Sequence, residues 1–387
     1  MKTPFYAVTV SALALTLSAC ALTEPNTPGS GGDGQITVSS TGDACDLSAT
    51  EVGSGNLAFR VKNEGTEVTE FYLYAQDGLR IVGEIENIGP GLTRDLVVRA
   101  AAGDYVTACK PGMVGEGIRS SFTVTESGED VSITGVDEAD ILAAETQYAA
   151  YVRDQSQELV DATSAFLDAW TGGDDDLARS LYPTARQHWE RIETVAESFG
   201  DLDPRMDLRE ADLEPGQEWT GWHRIEKDLW PPASGYEPLA AADRQPFADD
   251  LMANTQVLQE RVQTQTYTVT DIGNGAKGLL DEVAAGKITG EEDIWSHTDL
   301  YDFQANVDGA RVAYEGIKPL LDVKDAALST QIGERFDALQ ALLDGHRTAG
   351  GGFVSYDTVD QAQRKVLSDA VNALGEPLSK MTGAIVL

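Results

Sequence analysis

The hydrophobic period of this chain changes once, near Thr125, and that change divides what its two parts can become. From Ile36 to about Val124, short runs alternate apolar and polar residues, as in Ile36-Thr37-Val38, Leu57-Ala58-Phe59-Arg60-Val61 and Phe71-Tyr72-Leu73-Tyr74. A period of two belongs to strands that bury one face, and the Gly, Asn and Asp between the runs supply turns. Leu79 to Ile85, Thr93 to Val98, Gly103 to Cys109 and Ser121 to Val124 add further strands. The spacing predicts a small antiparallel β-sandwich over 36–127. Beyond Thr125-Glu126-Ser127-Gly128-Glu129-Asp130 the period becomes helical: Tyr148, Tyr151, Val152, Leu159, Ala162, Phe166, Leu167 and Trp170 form one apolar stripe. Gly172-Gly173 ends that helix, and Asp174-Asp175-Asp176 caps the next. The same period recurs over Phe247–Val262, Gly278–Ala285, Asp302–Leu321, Ala326–Leu343 and Thr358–Leu374. The chain is thus expected to be multidomain, with a linker over 128–140 and an all-α helical bundle over 141–387. An irregular insert from Phe199 to Trp219 interrupts the bundle, and such long loops are places to look for a site.

The first residues carry processing information. Met1-Lys2 gives a basic start, Phe5 to Leu17 a short apolar stretch, and Leu17-Ser18-Ala19-Cys20 a small-residue exit. Residues 1–19 are expected to be a signal peptide. A Cys directly after Leu-Ser-Ala resembles the lipobox of bacterial lipoproteins, which implies lipidation at Cys20. Residues 20–35, with four Gly and two Pro, then form a flexible tether. The expected location is extracytoplasmic, on the periplasmic side, held to the cell membrane by the lipid.

Among 387 residues, 64 are acidic and 28 basic, a net charge of −36. Such a surface repels a phosphate backbone, so nucleic acid is not an expected partner, and it suits cation handling. All four histidines (His188, His223, His297 and His346) lie in the helical part. A blue-copper site needs two His and one Cys, which the β part lacks. Cys45 and Cys109 remain there, with Glu70, Glu84 and Glu86 as oxygen donors. Export makes a disulfide the default for the two cysteines, and a shared metal site the alternative.

In the helical part, Arg186-Gln187-His188-Trp189-Glu190-Arg191-Ile192-Glu193 is expected to be one helix, placing Glu190 and Glu193 three apart. Gly221-Trp222-His223-Arg224-Ile225-Glu226 places His223 and Glu226 likewise. Such pairs on facing helices assemble metal cages in bundles. Hard carboxylates with one imidazole suit iron, manganese or zinc rather than copper(I).

These runs, with Ala196 to Pro204 and Trp295-Ser296-His297-Thr298-Asp299-Leu300-Tyr301-Asp302-Phe303-Gln304-Ala305-Asn306, resemble the imelysin-like domain of the EfeO/EfeM iron-uptake family. The β part, through Glu84-Ile85-Glu86-Asn87-Ile88-Gly89-Pro90-Gly91 and Gly103 to Cys109, resembles the cupredoxin-like domain in front of it. The resemblance implies an iron ligand set of Glu190, Glu193, Asp207, His223 and Glu226, with Glu282 or Glu292 as a later acidic ligand. It implies a second metal site at Cys45, Glu70, Glu84 or Glu86, and Cys109. Copper or zinc stays open as the metal, because the affinity order favours copper at most mixed sites. It implies work with a membrane iron permease and a haem peroxidase, capturing iron without catalysis. A metallopeptidase is the rival reading, but no HExxH occurs, and HxxE with added carboxylates crowds out the open position that activated water needs. A non-catalytic lipoprotein for another cation or a polysaccharide is the second rival. Its sugar platform would use Trp219, Trp222 and Trp230. No nucleophile elbow, P-loop or dinucleotide fingerprint is present.

Overall fold

The computed structural model describes residues 35–127 and 133–387. The signal peptide, Cys20 and nearly all of the expected tether lie outside the described residues.

Alternating apolar side chains of nine strands close one core between two sheets. The strands are β1 (Gln35–Ser40), β2 (Cys45–Leu47), β3 (Glu51–Gly53), β4 (Gly55–Asn63), β5 (Thr69–Ala75), β6 (Ile81–Ile88), β7 (Thr93–Ala100), β8 (Gly103–Cys109) and β9 (Ile118–Thr125). Their orders are β2-β1-β4-β7 and β3-β9-β8-β5-β6. Phe59 lies against Phe71 and Phe122 at ring-centroid distances of 5.1 and 5.5 Å, in the middle of that core. Pairing is antiparallel except that β1 runs parallel to β4 and β3 parallel to β9. The three-residue strands β2 and β3 were not legible as alternation, being too short for a period to repeat.

Cys45 and Cys109 form a disulfide that joins β2 of one sheet to β8 of the other. This corrects their candidacy as metal ligands, because neither thiol is free to coordinate. Both sulfurs are buried in the sandwich core with Phe71 and Phe122.

The helices are α1 (Glu138–Thr171), α2 (Asp175–Glu190), α3 (Glu193–Glu197), α4 (Asp203–Met206), α5 (Trp222–Leu229), α6 (Ala241–Thr264), α7 (Val269–Ala285), α8 (Asp299–Lys324), α9 (Ala326–Asp344) and α10 (Gln361–Val386). Asp174 caps α2 by accepting from the Leu177 amide. Helix α7 starts well before the expected Gly278. Gly273 and Gly278 weakened its apolar stripe, but they serve close packing: a Cβ at either would lie 2.3 Å from Thr382 Oγ1 or 2.9 Å from Thr194 Cγ2. One apolar core runs through the bundle, with Trp170, Trp189 and Trp222 fully buried. Trp222 is thus core, not sugar platform, and Trp219 is tied down by its indole N–H donating to Leu208 O.

Sandwich and bundle belong to one compact unit. Strand β6 is an edge strand, and its edge is covered: the Ile81 amide donates to Ser198 O at the end of α3. Asn274 of α7 donates to Val97 O, and the Arg99 amide donates to Thr270 Oγ1. Between these elements lies a cavity of about 440 Å³, lined by Glu84, Glu86, Glu197, Asp281 and Glu282 among others.

Candidate metal centre

A guanidinium with no water access stands in the interior of the bundle. Arg186 is 0 % exposed near the end of α2, and it pairs with Glu190, Asp207, Glu292 and Asp302. Its contacts to Asp302 and Glu292 measure 3.1 and 3.4 Å. Lys287 enters from a 3₁₀ turn (Lys287–Thr289) between α7 and α8. Its ammonium is 3.0 Å from Glu190 Oε2 and 2.9 Å from Glu193 Oε2. Asn306 of α8 donates to both of those carboxylates, at 3.1 and 2.9 Å.

The imidazole arrives on α5, whose position depends on Gly221. That residue has φ 84°, and a Cβ there would lie 2.1 Å from Met206 O. No other residue fits so close an approach at such a backbone angle. Trp222 then anchors the helix by stacking on Phe166, with centroids 5.4 Å apart. His223 Nδ1 is 3.0 Å from Glu226 Oε2, while Glu226 Oε1 accepts from the Trp295 and Ser296 amides at 2.9 and 2.7 Å. Both Glu226 oxygens are thus committed to holding neighbours. The carboxylate fixes the ring's orientation and, when the ring is neutral, leaves the Nε2 lone pair free. Nε2 faces Asp207 Oδ1 at 3.3 Å and Glu292 Oε1 at 3.4 Å, without an aligned hydrogen bond to either.

Ligand atoms of Asp207, His223 and Glu292 lie within 4.8 Å of one another, as do those of Glu190, Glu193, Asp207 and Glu292. A third such group joins His223, Glu226 and Asp293. The five expected residues therefore gather in one buried region but not around one point, since Glu226 stands behind His223. Of the two later acids, Glu292 is in the cluster and Glu282 is in none of these groups. Glu190 ends α2 and Glu193 begins α3, with a break at Arg191-Ile192, so they do not share the single helix expected from the sequence. The break turns Glu193 back toward Asn306.

Electrostatics follow from crowding. Burial, then Glu193, pushes the Glu190 carboxyl well up, and burial pushes Glu193 up to about 7 against the pull of Lys287. Burial alone would also raise Glu292, but Lys287 and His223 hold it well below the usual range. His223 is lowered by burial and by Arg186, yet its carboxylate neighbours more than offset this and favour the imidazolium. A metal at Nε2 must displace that proton. The donor set of hard oxygens with one imidazole, and a buried Nε2 lacking an aligned partner, fit an iron-like cation.

A second acidic group sits at the sandwich–bundle boundary. Glu84 and Glu86, two apart on β6 and so on one face, meet Glu197 within 4.8 Å. Tyr72 OH lies 2.9 Å from Glu70 and 3.1 Å from Glu86. The bundle partner, Glu197, was not foreseen. Helix α3 carries Glu193 at one end and Glu197 at the other, one in each cluster.

Arg186, Lys287, Asp293 and Asp302 were likewise missed as members of the bundle cluster. The i, i+4 spacing of Arg186 with Glu190, and of Asp302 with Asn306, was the available trace. It is indistinguishable from ordinary helix-surface pairing.

Fold and site together define a β-sandwich joined to a helical bundle whose carboxylate-rich interior holds a buried arginine and a buried lysine. The imelysin family model (Peptidase_M75) matches residues 144–381. An iron uptake system component EfeO of Yersinia pestis is 36% identical over 356 residues, covering 91% of this chain and 92% of its own length. EfeO of Escherichia coli O1:K1 is 34% identical with the same coverage. An Efem/EfeO family lipoprotein of Staphylococcus haemolyticus is 41% identical over 270 residues, 69% of this chain and 92% of its own. The chain belongs to the imelysin family, in its EfeM/EfeO branch.

Proposed function

We propose that this protein is the extracytoplasmic metal-binding component of an iron uptake system, capturing iron in the bundle and supplying it to a membrane permease. The observation that carries the reading is His223 Nε2, buried, turned by Glu226, and set between Asp207 and Glu292 without an aligned partner. Asp207, His223 and Glu292 anchor the ion, Glu190 and Glu193 are further carboxylate ligands from the same four-acid group, and Glu226 orients the imidazole. The names of the relatives, iron uptake components and lipoproteins, support the same assignment. Lipidation at Cys20 would keep the domain near the permease and raise its effective concentration there. A haem peroxidase belongs to the same proposal as a further partner.

The reading is non-enzymatic. His223 is 2 % exposed and Glu226 0 %, so a polypeptide cannot reach them as it must reach a peptidase's metal-bound water. No helix of the described residues is long and apolar enough to cross a membrane.

The test is calorimetric titration with anaerobic Fe(II), and separately with ferric citrate, of wild type and the His223→Ala/Glu226→Ala double variant. The expected result is a loss of affinity of about 100-fold or more, with Glu226→Gln alone losing about 10- to 100-fold. Equal affinity in all three proteins would remove the bundle site from the account.

A further inference from the structure

The carboxylate cage already holds two cations of its own, and they are mounted differently. Arg186 projects from the interior of a sixteen-residue helix and is gripped by carboxylates from several directions. Lys287 is a flexible four-carbon stem ending in a point charge. It stands on a short turn flanked by Gly286 and Gly290, the latter at φ 81°. Lys287 is 1 % exposed, and its ammonium touches the cage at Glu190 and Glu193, with Glu292 at 4.0 Å. The same three carboxylates, with Asp207, form the four-acid group that offers one oxygen each within 4.8 Å of one another. A second metal-sized charge cannot share those oxygens with an ammonium in contact with them, since like charges at such separations repel strongly in a dry interior.

The turn's backbone is pinned. Tyr356 OH donates to Ile288 O at 2.6 Å and Arg364 Nη1 donates to Thr289 O at 2.8 Å. Movement is therefore available to the side chain rather than to the loop. Glu282, at the end of α7, lines the cavity between sandwich and bundle, and its charge bears on Lys287.

From this arrangement we propose that Lys287 is an exchangeable counter-cation: its ammonium and the incoming metal compete for Glu190 and Glu193, so loading the site drives Lys287 out of the cage. Competition of this kind lowers affinity while keeping the cage folded, and on release the lysine re-forms the ion pairs that the metal leaves. The inference rests on the proposed iron site and deepens it by naming the residue that sets how tightly that site holds its cargo.

The experiment uses the full mature chain, with anaerobic Fe(II) and redox-silent Zn(II) as probes. Lys287→Met should bind either metal at least tenfold more tightly than wild type, and its thermal midpoint should rise more on metal addition. Lys287→Arg, which keeps the charge, should stay near wild type. So should Lys277→Met, whose ammonium pairs with Asp281 outside the cage. If the methionine variant does not fold in chelator, folding on metal addition supports the proposal. A readout on wild type is independent of folding: reductive methylation with mass-spectrometric mapping should find Lys287 protected in chelator and reactive with metal bound. Wild-type binding that depends on His223, together with unchanged affinity in folded Lys287→Met or equal protection of Lys287 in both states, overturns this inference and leaves the iron site standing. Absence of binding by wild type and Lys287→Met alike overturns both.

Discussion

Replacing Arg186 by methionine tests the electrostatic core of the bundle. The stem is nearly conserved in volume, so the change removes charge more than packing. Five carboxylates, Asp293 at 3.9 Å among them, then lose a partner in a place where the guanidinium is 0 % exposed. Breaking a buried pair from one side costs about 3–5 kcal/mol. A domain of this size loses about 2 °C in thermal midpoint for each kcal/mol, so the expected drop is roughly 6–10 °C at neutral pH in chelator. The deficit must also depend on pH. Without the guanidinium, the carboxyls of Glu190 and Asp302, already pushed up by burial, rise further above their unfolded values, so the cost is fully expressed at high pH and relieved as the pH falls toward about 4. Differential scanning calorimetry at about pH 7.5 and pH 5 measures both. A midpoint within 2 °C of wild type at the higher pH would refute the account of a charge-balanced centre. An equal drop at both would reduce Arg186 to a packing residue.

Two further outcomes follow from the structure. In chelator, the wild-type protein should be more stable at about pH 5.5 than at about pH 8. Burial, then Glu70, pushes the Glu84 carboxyl up to about 8, and burial, then Asp207, pushes Asp203 up to about 7. Each raised group contributes stability that is whole below its unfolded value and is lost as pH rises through its folded one. Glu292, held well below its ordinary value, acts in the opposite sense but only at lower pH. A midpoint that rises from about pH 5.5 to pH 8 would contradict this. Reducing the Cys45–Cys109 bridge, or Cys45→Ser, opens a loop of sequence separation 64 and should cost the sandwich about 4 kcal/mol by denaturant unfolding. Metal stoichiometry should not change. A gain of one metal on reduction would return the cysteines to the role of ligands.

How much of this was legible in the sequence depends on where the information is stored. Alternation and helical period act locally, so the seven longer strands and the long helices were readable, while β2 and β3 were too short to show a repeat. The start of α7 was hidden by Gly273 and Gly278, whose reason lies in Thr382 and Thr194, residues distant in sequence. Glu190, Glu193, Asp207, His223 and Glu226 were named through motif resemblance, and the structure does gather them in one buried region. Their division of labour was not readable. It depends on the break after Glu190 and on the Trp295 and Ser296 amides that engage Glu226. Lys287 and Asp293 reach the cluster from the turn after α7 and the loop before α8, and no local pattern announces a residue whose partners lie on other helices. Glu197 was missed for a related reason: its cluster exists only where the sandwich meets the bundle.

The central claim is that a metal ion occupies the space between His223 Nε2, Asp207 and Glu292. Crystals of the iron-loaded protein, with diffraction recorded on both sides of the iron edge, locate the ion directly. The account predicts that the strongest anomalous peak lies about 2 Å from His223 Nε2, with carboxylate oxygens of Asp207 and Glu292 around it. A strongest peak at Glu84, Glu86 and Glu197 instead, or none within the bundle, would contradict it.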